Sequence, residues 1–339
     1  MREEPFRGAK TWSVLAPAKV NLFFEVSDRR ADGYHDIETL AAPISLYDKL
    51  EFTLLDEGSD ELEIEVVDIS GKTLTDVPND RTNLVFRAHE AFRASLRETG
   101  RDASLPSFHI KIFKKIPIKS GFGGGSSDAA TALSVFNGFV KAPVSEKELR
   151  AVAARVGSDV PLFLLDGASL GRGRGEIVEP FDLPELHLVA IKPRAGVATP
   201  DAYRRFDETP RRNKRSLADF VVILKSALAS YSEEEFPRVV AEASFNRLEE
   251  PVATLWEDAT FWSSFLRAAP DSLNARMTGS GAAFYSIFPN EELAKNAADA
   301  IRERCVRDDL ERAVEGVYYA KTLRTRNGMF AEMKTSDAL

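Results

Sequence analysis

Cysteine is almost absent. The one thiol, Cys305, sits in the charged run IRERCVRDDL, so no intramolecular disulfide and no cysteine-rich metal cluster can form. Histidine is nearly as sparse: His35, His89, His109 and His187 are scattered and none falls in an HExxH pattern, which leaves no sequence signature for zinc. No apolar run approaches the length of a membrane helix, and the acidic start MREEPF has no apolar stretch behind it to act as a signal peptide. The expectation is a cytoplasmic protein with no membrane contact. Positive charge is also in deficit. A formal net charge of -8 argues against broad attraction to nucleic acid, whose backbone needs a cationic footprint. The local exception, Arg204, Arg205, Arg211, Arg212, Lys214 and Arg215, reads as a solvated connection in an acidic whole.

What remains is the composition of an ordinary globular chain, 339 residues at 44% hydrophobic and 29% charged, long enough for two modest domains. TWSVLAPAKVNLFFEV predicts a strand around a proline, then a stronger strand from 19 to 26. Strict alternation puts Val20, Leu22, Phe24 and Val26 on one face and Lys19, Asn21 and Phe23 on the other. Lys19 and Asn21 then stand side by side. ELEIEVV predicts a half-buried antiparallel strand with Leu62, Ile64 and Val66 inward. NLVFRAHEAFRASLRE has helical spacing, with Leu84, Ala88, Ala91 and Ser95 on one side.

The strand FHIKIFKKI leads through Pro117 into a glycine-rich loop, and DAATALSVFNGF behind it predicts a short helix packed through Ala130 and Leu133. A helix over 146–156 stops at Gly157, Ser158 is placed to cap the next segment, and Pro161 falls early in it. The second half predicts helices over 217–229, 233–244 and 251–268, the strand AFYSIF, the helix EELAKNAADAIRERC and a last strand over 316–320. The fold class is mixed α+β with substantial antiparallel sheet. The domains are 1–185 and 186–322, followed by a loosely packed extension over 323–339 that Met329, Phe330 and Met333 could dock.

The most informative local feature is Ser120-Gly121-Phe122-Gly123-Gly124-Gly125-Ser126-Ser127-Asp128. Its four glycines permit unusual torsions and bring backbone amides close to a ligand, while the helix behind it offers unpaired N-terminal N–H groups. Together these can cradle phosphate oxygens. Ser126 or Ser127 can cap the helix or help to bind a metal carried by a nucleotide. The alternative is a tight strand-to-helix turn whose glycines satisfy only geometry. It is not a Walker loop, because Gly71-Lys72-Thr73 has Val66 where that pattern needs a glycine. Residues 121–126 also miss GxGxxG, ending on Ser126, and no HRD and DFG pair is present.

Lys19 interrupts an apolar strand entrance. It reads either as an edge lysine reaching to water or as a cation for phosphoryl transfer. Asp159, near a helix start, either complements the local dipole or orients and deprotonates a hydroxyl. A second small-residue loop, Met277-Thr278-Gly279-Ser280-Gly281-Ala282-Ala283, is either a close backbone crossing or the far wall of a ligand cleft.

PAKVNLFFEV, RADGYH, GFGGGSSDAA, GSDVP and MTGSGAAF, in that order over roughly residues 10–320, resemble the GHMP small-molecule kinases. Within these they resemble the 4-diphosphocytidyl-2-C-methyl-D-erythritol kinase family. The resemblance implies a ribosomal-protein-S5-like first domain, a ferredoxin-like second domain, and ATP-dependent phosphorylation of the acceptor's 2-hydroxyl in the non-mevalonate route to isoprenoid precursors. It makes Lys19 and Asp159 the catalytic pair and Asn21 a substrate contact. It has Tyr34 and His35 stack on and hydrogen-bond the cytosine, with Tyr203 closing the base's other side. Gly121, Gly123, Gly124, Gly125, Ser126 and Ser127 would bind the phosphates of ATP, with Ser127 a partner for Mg2+, and Gly279, Ser280 and Gly281 would shape the opposite wall. Lys119 and Ser120 depart from the smaller or apolar residues common at those places. The partner implied is a cytidine-containing small molecule; a different alcohol acceptor is the alternative, and monomer and weak homodimer both stay open.

Overall fold

The structure, a computed structural model, describes residues 11–55, 61–209, 213–232 and 234–324. Arg211, Arg212 and nearly all of the 323–339 extension, with Met329, Phe330 and Met333, lie outside the described residues. Two antiparallel strands, β1 (Thr11–Arg29) and β2 (His35–Leu54), form the spine of the first sheet. Pro17 does not divide β1, because the pairing shifts register between Pro17 and Ala18, and a bulge spares the ladder the N–H that proline lacks. A second shift, between Asn21 and Phe23, corrects the strict alternation. Leu22 is the extra residue, so Val20, Leu22 and Phe23 share one core while Phe24 and Val26 enter another.

β3 (Leu62–Asp68) buries Leu62, Ile64 and Val66 as the pattern predicts, but it is parallel to β4 (Phe108–Lys114) rather than antiparallel. The reason is the connection: α1 (Leu84–Glu98) crosses between them, as a parallel pair requires. The buried face of α1 is Val85, Ala88, His89, Phe92 and Leu96, about one position round from the predicted stripe. α2 (Gly124–Phe139) begins inside the glycine loop, earlier than predicted, so the loop's glycines and serines form its first turn. α3 (Glu146–Val156) has its predicted limits, fixed by a reciprocal Ser145–Glu148 cap. Ser158 caps nothing; Asp159 holds the cap position of a short 3₁₀ helix, Val160–Leu164, without a side-chain cap bond. β5 (Ser169–Gly173) pairs with β2, and β6 (Ile177–Pro180) with β5.

The chain then leaves for a second, wholly antiparallel sheet. β7 (His187–Pro193) starts it, followed by α4 (Thr199–Glu208), α5 (Leu217–Ser230) and α6 (Phe236–Ala243). The two-residue β8 (Phe245–Asn246) returns to pair with β1, giving the first sheet the order β3-β4-β2-β1-β8. The single helix predicted over 251–268 is two, α7 (Glu249–Leu255) and α8 (Asp258–Arg267), because Trp256 is extended between them. β9 (Arg276–Met277), β10 (Phe284–Phe288), α9 (Glu291–Arg307) and β11 (Val314–Lys321) complete the sheet in the order β11-β7-β10-β9.

Three apolar cores hold these parts. α1, α2 and α3 pack on the first sheet around Phe92, Phe108 and Phe136, with Trp12 stacked on Phe52 and Phe139. A second core, with Leu22, Ile44, Phe220 and Tyr285, joins the two sheets, and a third lies under α4, α7, α8 and α9. Tight packing on both sides of β1 fixes the position of any polar group that β1 carries. Among the described residues no helix is long and apolar enough to cross a membrane.

Candidate active site

Lys19 lies within β1 and is only 4% exposed, so it is not an edge lysine reaching for water. Its N–H donates to the carbonyl of Phe122 at 2.9 Å, which brings the glycine loop down onto the strand. Its ammonium donates to Asn21 Oδ1 at 2.6 Å and stands 3.8 Å from Asp159 Oδ2. Burial lowers the pKa of Lys19, and the Asp159 carboxylate pulls it back up. The side chain of Asp159 is 37% exposed and faces the same cleft.

Asn21 stands behind Lys19 instead of on the cleft wall. Its Oδ1 accepts from Lys19 and, at 3.2 Å, from Thr278 Oγ1, while its Nδ2 donates to Thr39 Oγ1 at 2.9 Å. The amide is thus spent on holding the lysine and on joining the second glycine loop to β1. Tyr285 adds to this by donating its hydroxyl to the Asn21 carbonyl at 2.9 Å.

The two glycine loops meet. Gly121 (φ +84°) packs so tightly on Thr278 that a methyl group there would lie 2.1 Å from the Thr278 carbonyl oxygen. Ala283 N–H donates to the Ser120 carbonyl at 3.0 Å, and Asn246 Nδ2 donates to the carbonyls of Met277 and Gly279. Ser120, one of the departures from the pattern, turns its hydroxyl inward to the Pro117 carbonyl. Lys119, the other, lines the cleft. The first α2 bond runs from Ser127 N–H to Gly123 O, so the amides of Gly124, Gly125 and Ser126 precede it and remain for an anion. Gly121, Gly123, Gly124, Gly125, Ser126, Gly279, Ser280 and Gly281 all line the cleft.

Ser127 does not line it. Its hydroxyl is fully buried and, among the described residues, has no hydrogen-bond partner. No group of three or more His, Cys, Asp or Glu side chains able to hold a metal occurs among the described residues. The groups that face a metal entering with phosphates are the hydroxyl of Ser126 and the Asp159 carboxylate; the orphaned hydroxyl of Ser127 lies behind them and would reach it only by turning toward the cleft. Directly beneath the loop lies a buried cluster of which the sequence motifs contain only Asp128. Lys114 Nζ donates to Asp48 and, at 2.8 Å, to Asp128, and Asp48 Oδ1 accepts the N–H groups of Lys115 and Ile116. Burial pushes Asp128 up to about 7 against the pull of Lys114, with Asp48 adding to the rise.

At the other end of the cleft, Tyr34 is 54% exposed with the Arg174 guanidinium 4.9 Å from its ring centre. His35 is buried beside it, with Tyr203 at 5.1 Å and Phe206 edge-on at 5.8 Å between ring centres. Burial raises the Tyr203 phenol pKa, and the Asp159 carboxylate adds to the rise, which ties the aromatic end electrostatically to the Lys19 pair. Tyr34, His35, Tyr203, Asp159, Lys19 and both loops surround one cleft of about 1650 Å3. That is room for two extended ligands meeting at Asp159.

A cleft between an S5-like sheet and a four-stranded antiparallel sheet, with the unpaired amides of a helix start beside a buried lysine, is the arrangement of a small-molecule kinase. Residues 83–167 match the family described as GHMP kinases N terminal domain, and residues 232–307 match GHMP kinases C terminal. The chain is 35% identical over 292 residues to the 4-diphosphocytidyl-2-C-methyl-D-erythritol kinase of Desulfitobacterium hafniense, covering 86% of this chain and 92% of that one. It is 31% identical to the enzyme of the same name from Agrobacterium fabrum, covering 90% and 96%. A crystal structure of 4-(cytidine 5'-diphospho)-2C-methyl-D-erythritol kinase superposes with a TM-score of 0.70 at 31% identity, over 92% of this chain and 99% of that one. The homoserine kinase of Cytophaga hutchinsonii, at 18% identity and a TM-score of 0.64, shares the fold. The chain belongs to the 4-diphosphocytidyl-2-C-methyl-D-erythritol kinase family.

Sequence reasoning does not reach Asp48, Lys114, Thr39, Thr278, Asn246, Arg174 or Asp207 as site residues. Thr278 and Asp128 lie inside motifs that it singles out. Asp48 and Lys114 are ordinary strand charges until the fold buries them against each other.

Proposed function

We propose that this protein transfers the terminal phosphoryl group of ATP to the 2-hydroxyl of 4-diphosphocytidyl-2-C-methyl-D-erythritol, giving ADP and the 2-phosphate. The observation that carries the reading is the place of the Lys19–Asp159 pair, between the phosphate loop and the Tyr34–His35–Tyr203 cluster in one cleft. ATP lays its phosphates on the amides of Gly124, Gly125 and Ser126, while Gly279, Ser280 and Gly281 close the opposite wall. The cytosine lies between Tyr34 and Tyr203, beside His35. The acceptor hydroxyl then faces Asp159.

As the acceptor oxygen bonds to the terminal phosphorus and the bond to the ADP oxygen breaks, the hydroxyl proton passes to Asp159. Lys19, held by Asn21, offsets the charge that moves onto the transferring oxygens. Positioning and fixed charge supply most of the effect, since phosphoryl transfer asks chiefly for alignment and charge stabilisation. Mg2+, held by Ser127 and the phosphates, would neutralise phosphate charge. The domain division falls near 185/186, with ATP held mainly by the first domain and α4 of the second closing on the base, in a cytoplasmic enzyme.

An assay with ATP, Mg2+ and the cytidine-linked acceptor, with the phosphorylated carbon identified by NMR, tests the reading. Phosphate on the 2-oxygen is the expected result. A folded protein that leaves this acceptor untouched and phosphorylates a simpler alcohol would replace the acceptor assignment.

A further inference from the structure

His35 Nε2 and Asp207 Oδ1 lie 2.8 Å apart. They join the start of β2 in the first sheet to α4, the helix that follows β7 of the second. The other charged groups of α4 are engaged elsewhere: Arg204 with Asp201, and Arg205 with Glu208 and Thr254. His35 is the one partner of Asp207 among the described residues. A carboxylate can only accept, so the hydrogen between them belongs to Nε2. In an uncharged imidazole Nδ1 is then an acceptor. Nothing else bonds to the ring among the described residues, and the ring lines the cleft. Tyr203 and Phe206 pack against it, so it cannot turn over without losing the carboxylate.

We propose that Asp207 is a positioning residue that makes the site select cytosine over uracil, by fixing the His35 tautomer whose free nitrogen accepts a hydrogen bond. The inference rests on the reading of the site as cytidine-binding. Cytosine carries an amino group at its 4-position, which donates to Nδ1. Uracil carries a carbonyl oxygen there, and two acceptors facing each other in a mostly buried site leave both unsatisfied. Tyr34 and Tyr203 cannot make this distinction, because both bases offer the same stacking face. Without Asp207 the ring is free to carry its hydrogen on Nδ1, and the preference disappears.

The test compares the wild-type protein with Asp207→Ala on the cytidine-linked acceptor and its uridine-linked counterpart, each with ATP. Wild type is expected to favour the cytidine compound in kcat/KM by on the order of 10²-fold or more. Asp207→Ala is expected to lose at least about 10-fold of that ratio, as befits one buried hydrogen bond of roughly 1.4 kcal/mol, with the loss in the acceptor KM and little change in the KM for ATP. An unchanged ratio, or an equal loss on both acceptors, would overturn the proposal, because a merely structural contact weakens both alike. If Asp207→Ala does not fold, Asp207→Leu, which fills the space without an acceptor, gives the same ratio. Calorimetric binding of CDP and UDP reads the base preference without turnover. Preference for CDP that Asp207→Ala abolishes supports the role of Asp207 even if the acceptor assignment fails; equal affinity in wild type sinks it.

Discussion

The ammonium of Lys19 stands 3.8 Å from the Asp159 carboxylate but makes its short hydrogen bond, at 2.6 Å, to Asn21. The lysine is held by the amide and only faces the acid, which leaves the Asp159 oxygens open to a hydroxyl. Asp159→Asn keeps the shape and removes the proton acceptor. Turnover is expected to fall by on the order of 10²-fold or more, with an unchanged melting temperature. Near-native turnover in a folded variant would take Asp159 out of the chemistry.

Gly121 and Gly125 separate two uses of glycine in one loop. A Cβ on Gly121 meets backbone at 2.1 Å with φ at +84°, whereas on Gly125 it meets a Leu84 methyl at 3.6 Å. Gly121→Ala is expected to push the two loops apart and cost at least ~1–3 kcal/mol, seen as a lower melting temperature and weaker ATP binding. Gly125→Ala is expected to melt at or slightly above the wild-type temperature. Equal melting of the two variants would mean that the loop contact does not matter.

Ser127 gives a clean test of the metal assignment, because among the described residues its hydroxyl has no hydrogen bond to lose. Ser127→Ala is expected to leave stability unchanged and to raise the Mg2+ concentration for half-maximal turnover by about 10-fold, the scale on which a lost partner weakens a metal site. Ser126→Ala, on the cleft wall, is expected to raise the KM for ATP instead. A Mg2+ requirement that Ser127→Ala leaves untouched would remove the residue from the metal site.

Asp128 makes stability depend on pH in a direction that can be checked. Burial raises its pKa from 3.8 to about 7, so between those values the folded chain holds a proton that the unfolded chain has released. The stabilisation is fully present below about pH 4 and is lost as pH rises through 7. Asp128→Asn abolishes that loss. The unfolding free energy of the variant relative to wild type, followed by denaturant melts, is therefore expected to climb from pH 5 to pH 8, by an amount on the order of a few kcal/mol or less. A difference that stays flat with pH would show that Lys114 keeps Asp128 ionised throughout.

Much of the site is legible in the chain. The glycine loops, Lys19, Asp159 and the Tyr34-His35 turn are local patterns, because a phosphate cradle made of a glycine-rich loop and a helix start is built from neighbours in sequence. Capping shows the same locality: Ser145 and Glu148 fix the start of α3 where the sequence places it. The misreadings have one source. Alternation along β1 fails because a bulge at Leu22 depends on the pairing partner, and β3 is parallel because α1 crosses over.

The sequence by itself determined the class of chemistry, since each phosphate-binding and catalytic motif is a short run whose spacing is its mechanism. Only the tertiary structure decided which polar groups serve those motifs. Asn21 is turned from a presumed ligand contact into the holder of Lys19, Lys114 is buried between Asp48 and Asp128, and Asp207 is brought to His35. A hydrogen bond needs two groups within about 3 Å, and no periodicity in a chain encodes which distant residue will arrive there.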